Sequence, residues 1–408
     1  VSKRVLITGI SGFVGPHLAK YLLQQGDEVW GFTRRRAAGS KVRSLQVLGI
    51  GENVKVVEGD VTSISSLAHA LDIAAPDVIF HLAAQSFVPQ SFSNPVDTYE
   101  TNVMGSVNLL EAVRLKDLDP DILFAGSSEE YGLAFASERQ WKEEVAARGP
   151  IYPEPAAIPE LPIAEGNPLR PMSPYGVSKV QADYAFRNYH RVYGMKTVVT
   201  RAFNHEGPGR GPTFVTSTTV SQAVKCKLGQ QDTITLGNVN TFRDWSHVED
   251  VVRGYDLIAA TGRRGHVYNL ASQRTNSVLS YALLALEVLG FKLWAIEAAS
   301  GGKRVKDPTR ISRSQAFGLP FEKTAVDEEM LQSGLEYSPR DKGVRVKTDQ
   351  GDITIAIDPE RYRPAEVPVL LGQAARAREV GFKPTHSLAD VIQDQANYYL
   401  DARNREGL

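Results

Sequence analysis

Arg4-Val5-Leu6-Ile7-Thr8-Gly9-Ile10-Ser11-Gly12-Phe13-Val14-Gly15 is the stretch that decides the fold of this 408-residue chain. Its first five residues, apolar and β-branched, predict a short buried strand. Three glycines at GxxGxxG spacing predict a turn, the pattern from His17 to Gln25 closed by Gly26 predicts a helix, and Glu28 to Phe32 (EVWGF) predicts a second strand. Strand, glycine turn, helix, strand is a parallel βαβ unit. Each glycine falls where such a unit needs one to hold a dinucleotide: for the tight turn, for close approach of the backbone to a pyrophosphate, and for packing the helix on the sheet. The helix N-terminus adds positive potential for the phosphates. Gly9, Gly12, Phe13, Val14 and Gly15 are therefore candidate cofactor contacts.

Working outward, Val54 to Val57 precedes Gly59-Asp60-Val61, Val78 to Leu82 precedes Ala83-Ala84-Gln85, and Ile122 to Ala125 precedes Ser127-Ser128-Glu129. Helical patterns at Ser65 to Leu71 and Asn102 to Arg114 separate these runs. Continuous apolar strands alternating with helices indicate a doubly wound parallel α/β sheet, a Rossmann fold, buried on both faces. In such sheets ligands sit at the carboxyl ends of the strands, so the three post-strand stretches should line one cleft. After the second strand stands Thr33-Arg34-Arg35-Arg36 rather than an acidic residue. Guanidinium groups favour a 2′-phosphate, which makes NADP the expected cofactor ahead of NAD.

A length prior of ~150 residues per domain allows two or three domains. The expected division is a core of residues 1–202, rejoined by 246–275, and a smaller α/β substrate-binding lobe of 203–245 and 276–408. Two less periodic spans, about 133–167 and 303–351, read as elaborations on this plan. The chain carries 46 basic against 47 acidic residues with no block of like charge, which points away from nucleic acid and membrane surfaces and towards small molecules. A single cysteine, Cys226, excludes a disulfide framework and a cysteine-rich metal site; it reads as a buried thiol, and no metal is expected. The first apolar run is short for a signal peptide, and no stretch approaches the length of a membrane span, so the expected compartment is the cytoplasm.

The reacting groups come from two stretches, Ser127-Ser128-Glu129-Glu130-Tyr131-Gly132 and Tyr175-Gly176-Val177-Ser178-Lys179. Tyr175 and Lys179 are four apart and share one helical face. An adjacent ammonium is expected to favour the phenolate of Tyr175, which could then exchange a proton with a sugar hydroxyl while hydride moves to a nicotinamide. Lys179 also has the reach to hold the cofactor ribose, and Ser127 would align the reacting oxygen. Glu129 is a candidate base for the proton made acidic by a neighbouring ketone. Glu130, on the opposite side if the strand continues, reads as structural.

The GxxGxxG turn with these groups resembles the extended branch of the short-chain dehydrogenase/reductase superfamily. The match is most specific to the GDP-mannose 4,6-dehydratases, through Gln85-Ser86-Phe87-Val88, Ser173 to Lys179, Phe203-Asn204-His205-Glu206, Arg210 to Thr216, Leu236-Gly237-Asn238, Arg243-Asp244-Trp245 and Asp358 to Val367. The resemblance implies a nucleotide-sugar lyase acting on GDP-mannose with tightly held NADP, as a homodimer or homotetramer. It places Ser127, Glu129, Tyr175 and Lys179 at the catalytic positions, Asp60 and Val61 at the adenine, and Leu82, Ala83 and Ala84 along the cofactor. Ser86, Ser128, Asn204, Val215, Arg243, Arg363 and Glu366 would contact the nucleotide sugar. His205 reads either as a hydrogen-bonded core histidine or as a direct contact. Gly126 to Gly132 together with Gly176 resembles the sister GDP-6-deoxy-mannose 4-reductases more closely. A 4-reductase, a nucleotide-sugar epimerase and a non-catalytic dinucleotide sensor therefore stand as alternatives.

Overall fold

The computed structural model describes residues 2–34, 42–362 and 366–405. Seven strands form one parallel sheet: β1 (Arg4–Thr8), β2 (Glu28–Thr33), β3 (Lys55–Glu58), β4 (Val78–His81), β5 (Asp121–Ser127), β6 (Thr197–Ala202) and β7 (Val267–Leu270). Their order is β7-β6-β5-β4-β1-β2-β3. The chain leaves β1 towards one edge and returns through β4 towards the other, which opens a crevice between the carboxyl ends of these two strands.

Alternation along the strands explains why both faces are covered. Val5, Ile7, Val29, Phe80 and Leu123 pack with Leu18 and Leu22 of α1 (Val14–Gln24) and with residues such as Val251 and Tyr255 further along the chain. Leu6, Phe32, Ile79, Ile122 and Phe124 point the other way, onto α2 (Ile64–Ala74), α3 (Gly105–Leu115) and α4 (Pro174–Tyr193). A strand that is apolar at consecutive positions must find a helix layer on each side, and here it does.

The smaller lobe has its own five-stranded sheet, in the order 304–306, 293–298, 344–348, 351–357, 233–236. Helix α5 (Val215–Lys227) packs on its 233–236 strand, and α7 (Val278–Val288) and α8 (Leu388–Leu400) pack with α5 and with each other, while α6 (Val248–Thr261) returns to the main sheet beside α1. The stretch 303–351 gives this sheet its strands 304–306 and 344–348, while 311–316 and 319–324 pair with each other as a separate two-stranded hairpin. Val344 and Val346 of its interior strand are fully buried, and the alternation was masked in the sequence by polar flanks. The 325–333 helix is anchored by a buried carboxylate: Asp327 accepts hydrogen bonds from Asn276 (2.9 Å), the Ser277 amide (2.9 Å) and Ser280 (2.7 Å). Glu160, in the 133–167 span, is gripped by Arg170 just beyond it through two bonds of 2.8 Å, both groups buried. Removing one partner of such a pair costs ~3–5 kcal/mol, so the pair anchors the Glu160 part of this segment, while the 138–148 helix buries no residue. Cys226 is buried and free. No helix among the described residues is long and apolar enough to cross a membrane.

Candidate active site

The three glycines of the first turn do distinct work. Gly9 has φ +77°, and a Cβ there would lie 2.8 Å from the Ala83 amide nitrogen, so both its backbone angle and its neighbour demand glycine. A Cβ on Gly15 would sit 2.7 Å from the Gly9 carbonyl oxygen and 2.8 Å from the Ile10 Cα, so this glycine lets α1 pack on the turn. A Cβ on Gly12 would meet only the Gly9 oxygen, at 3.2 Å, and its remaining surroundings are open to the cleft. That open backbone at the start of a helix fits the phosphates of a dinucleotide.

The cleft beside this turn has a volume of about 780 Å³. Gly9, Gly12, Phe13, Val14, Gly15, Arg34, Asp60, Val61, Leu82, Ala83 and Ala84 all line it. Thr33 donates to the Ser11 hydroxyl (2.8 Å), which ties the glycine turn to the end of β2. Asp60, expected at the adenine, is tied within its own turn: its carboxylate accepts from the amide and hydroxyl of Thr62 at 2.9 and 2.8 Å. Behind Ala83, whose amide donates to Thr8 (3.2 Å), His81 is wedged between Thr8 (2.8 Å) and Ser106 (3.1 Å). Burial, with the Lys179 charge adding, pushes its imidazole down to about 3, so it is a neutral structural group. Arg35 and Arg36 lie outside the described residues.

At the other end of the cleft β5 stops at Ser127, and residues 128–130 form a single 3₁₀ turn. Glu130 is thus buried by the turn rather than by strand alternation. Ser127 Oγ accepts from the Glu129 amide (3.2 Å), and its hydroxyl favours the phenolate of Tyr175. Helix α4 starts with Ser173 capping the Gly176 amide (3.0 Å) and Pro174 in the first turn, both favoured at that end of a helix. Tyr175 and Lys179 then fall on the face that lines the cleft, with Ser127, Ser128 and Glu129 opposite them. Gly176 has a reason of its own. A Cβ there would be 2.7 Å from the Glu129 carbonyl oxygen, so only glycine lets α4 press against the turn.

The electrostatics differ from expectation. Burial pushes the Tyr175 phenol up to about 12, with the Glu129 and Glu130 charges adding to the effect and the Ser127 hydrogen bond opposing it. Lys179 does not bring it down. Its Nζ donates to the Ala125 carbonyl (2.8 Å), lies 5.9 Å from the Tyr175 ring centre, and is itself pushed down to about 8 by burial. Desolvation outweighs the expected charge effect because both groups are buried in the cleft wall, with Tyr175 8% and Lys179 4% exposed.

The substrate side is less like the sequence reading. Ser86, Ser128 and Asn204 line the cleft, and Asn204 Oδ1 is buried with no hydrogen-bond donor among the described residues. Val215 opens α5 and packs against the apolar core instead of the cleft wall. Arg243 and Glu366 pair with each other at 3.0 Å; Arg243 also donates to the carbonyls of Phe242 (2.9 Å) and Val367 (2.7 Å), and neither side chain lines the cleft. Arg363 lies outside the described residues. His205 does line the cleft, donating from Nδ1 to the Phe203 carbonyl (2.9 Å), and burial with the Arg210 charge pushes it down to about 4.

Two contributions were not visible as such. Arg210 folds back into the cleft, its guanidinium 3.6 Å from the Phe214 ring centre and 5.0 Å from that of Phe13, while Glu206 holds it at 3.4 Å. Asn102 lies in a π-helical turn before α3, accepts from the Gln85 amide (2.8 Å) and donates to Ser178 (2.9 Å), so it joins the β4 loop to α4. The local signal for Arg210 was its glycine-rich surroundings, and for Asn102 there was none.

A seven-stranded parallel sheet, a glycine cradle at the crevice and a Ser/Tyr/Lys set at its far end define a nicotinamide-dinucleotide enzyme of the extended short-chain dehydrogenase/reductase class. More particularly, the chain belongs to the NAD dependent epimerase/dehydratase family, whose model matches residues 5–271. It is 31% identical over 399 residues to a GDP-mannose 4,6-dehydratase of Yersinia enterocolitica, covering 96% of this chain and 92% of that protein. Among solved structures it resembles RMD from Pseudomonas aeruginosa in complex with NADPH, with a TM-score of 0.65 and 23% identity over 98% of this chain and 100% of that one. It likewise resembles DesIV, a dTDP-glucose 4,6-dehydratase from Streptomyces venezuelae with NAD bound, with a TM-score of 0.68 and 23% identity over 98% of each chain.

Proposed function

We propose that the protein is a nucleotide-sugar 4,6-dehydratase that converts GDP-mannose to GDP-4-keto-6-deoxy-mannose, with NADP as its cofactor. The observation that carries this is the position of Glu129, on the cleft wall with Ser127 and Tyr175. A simple alcohol dehydrogenase needs the serine, tyrosine and lysine; a lyase also needs a carboxylate base. The similarity to GDP-mannose 4,6-dehydratases along nearly the whole chain supports the choice of nucleotide sugar.

When bound, the dinucleotide accepts hydride from C4 and returns it to C6, so the net reaction is redox-neutral. Tyr175 takes the proton of the C4 hydroxyl as its phenolate, the form that burial disfavours in the ligand-free protein, while Ser127 holds that oxygen in line. The resulting ketone acidifies C5, and Glu129 removes its proton. Glu129 then passes the proton to the C6 hydroxyl, which departs as water, and the proton taken by Tyr175 serves to reprotonate C5. Lys179, fixed by the Ala125 carbonyl, holds positive charge beside the cofactor site. Arg34 lines the cleft next to the end of β2, where a 2′-phosphate would be recognised. Asn204 offers its unmatched oxygen to a donor on the nucleotide sugar.

Incubation with GDP-mannose and catalytic NADP, followed by mass analysis, is expected to show loss of one water with no reduced cofactor added. A strict requirement for NADPH and for a 4-keto substrate would favour the reductase reading, which the Gly126 to Gly132 stretch and Gly176 keep open.

A further inference from the structure

Behind the reacting groups lies a buried cluster that no step above uses. Glu130, Asp183 and Arg201 are 0%, 0% and 2% exposed. Arg201 Nε donates to Glu130 Oε2 and to Asp183 Oδ2, both at 2.9 Å. The other Glu130 oxygen accepts from the Ser127 amide at 2.8 Å. Gly126 makes room for it, since a Cβ there would be 2.5 Å from that oxygen. Asp183 stands one helical turn beyond Lys179 and two beyond Tyr175 on α4.

Resting on the dehydratase reading, we propose that Glu130, Arg201 and Asp183 form a positioning bridge that sets the turn carrying Ser127 and Glu129 against the helix carrying Tyr175 and Lys179. One guanidinium on β6 reaches both halves of the site. Stability alone is a poor reason for such a cluster, because buried ion pairs commonly hold a fold no better than apolar residues of the same volume. The second Asp183 oxygen is taken by Arg187 of the same helix at 2.5 Å, so the two carboxylates meet two guanidiniums and only Arg201 reaches both halves of the site. What the cluster does supply is direction: the bond to the Ser127 amide fixes the end of β5, and the bond to Asp183 fixes the rotation of α4.

The charged and titratable groups facing Glu130 are Asp183, Lys179 and Tyr175 on α4, Arg201 on β6 and Tyr131 on its own turn; Arg187 faces Asp183 and Glu165 faces Tyr131. Burial and the Asp183 charge raise the Glu130 carboxyl, and Arg201 only partly offsets them. A carboxyl raised in the folded state stabilises the fold at low pH, and that contribution is lost as pH rises through the folded value.

The test uses the full chain with Glu130→Gln, Arg201→Met and Arg201→Lys. Glu130→Gln and Arg201→Met are expected to lower kcat by roughly 10²-fold, the scale of a 1 Å misplacement of reacting groups. KM and the cofactor Kd should stay within about twofold, since neither binding surface is touched, and Arg201→Lys should recover part of kcat. The ligand-free parent should lose melting temperature between pH 5 and 8 relative to Glu130→Gln. Ultraviolet titration of the Tyr175 phenol, taken against Tyr175→Phe, should move down in Glu130→Gln. Folded variants with parental kcat would overturn the proposal. If the parent turns over no nucleotide sugar, the dehydratase reading fails by itself, and the phenol titration still decides: no movement in Glu130→Gln overturns the bridge. Should Arg201→Met not fold, Glu130→Gln and Arg201→Lys carry the same comparison.

Discussion

The two ends of the cleft are built by different means. The cofactor end is made of backbone held in place by missing side chains: Gly9, Gly12 and Gly15 each leave room that a Cβ would take or narrow. The substrate end is made of side chains whose direction is set by their partners, such as Arg210, held by nearby Glu206 and Phe214 and by Phe13 far away in sequence. A backbone cradle is specified by composition at fixed spacing and tolerates little variation. A side-chain wall can be rebuilt by changing a few residues, which is how one fold accepts many nucleotide sugars.

The sharpest test of this contrast lies where the two ends meet. Glu129→Gln should lower dehydration by ~10²–10⁴-fold, the range for loss of a positioned proton-transfer group, while binding of the dinucleotide is retained. Dehydration at the parental rate would move the base elsewhere and leave the wall without its chemical role. At the cofactor end, Gly9→Ala must adopt a positive φ and press on Ala83. Fluorescence titration with NADPH should show its binding weakened by ~10-fold or more while the sheet still forms. Tight binding by this variant would show that the cradle bends, and the contrast would fail.

Smaller effects sharpen the substrate end. Asn204→Ala removes the unmatched oxygen and should raise KM for the nucleotide sugar by ~5–10-fold with kcat changed less, as expected for about 1 kcal/mol of hydrogen bonding. Smallest of all should be the catalytic effect of Arg243→Met. Because its guanidinium is spent on Glu366 and two carbonyls, the variant should lower the melting temperature more than it changes KM. A double-mutant cycle with Glu366→Gln would check that the pair acts as a unit. A large rise in KM would return Arg243 to the nucleotide sugar, as the sequence reading had it.

Much of the sheet was legible because consecutive apolar residues in Arg4–Thr8, Val78–His81 and Asp121–Ser127 demand cover on both faces. The lobe was less so. Strand 344–348 (VRVKT) is five residues of alternation in a polar stretch, too short to outweigh the charges around it. The Tyr175 phenol shows another limit. Sequence spacing placed Lys179 beside it, but the balance between desolvation and charge depends on depth and on the carbonyl that Lys179 meets, and neither is local.

By itself the amino-acid sequence determined the βαβ entry, the glycine cradle and the Tyr175/Lys179 helical face, because each follows from backbone sterics or helical repeat within a few residues. Tertiary structure alone decided that Glu130 turns inward to Arg201, that Arg243 and Glu366 satisfy each other, and that Arg210 closes over Phe13. A buried charge goes to whichever partner the packed elements bring within reach, and that distance exists only once the strands and helices have docked.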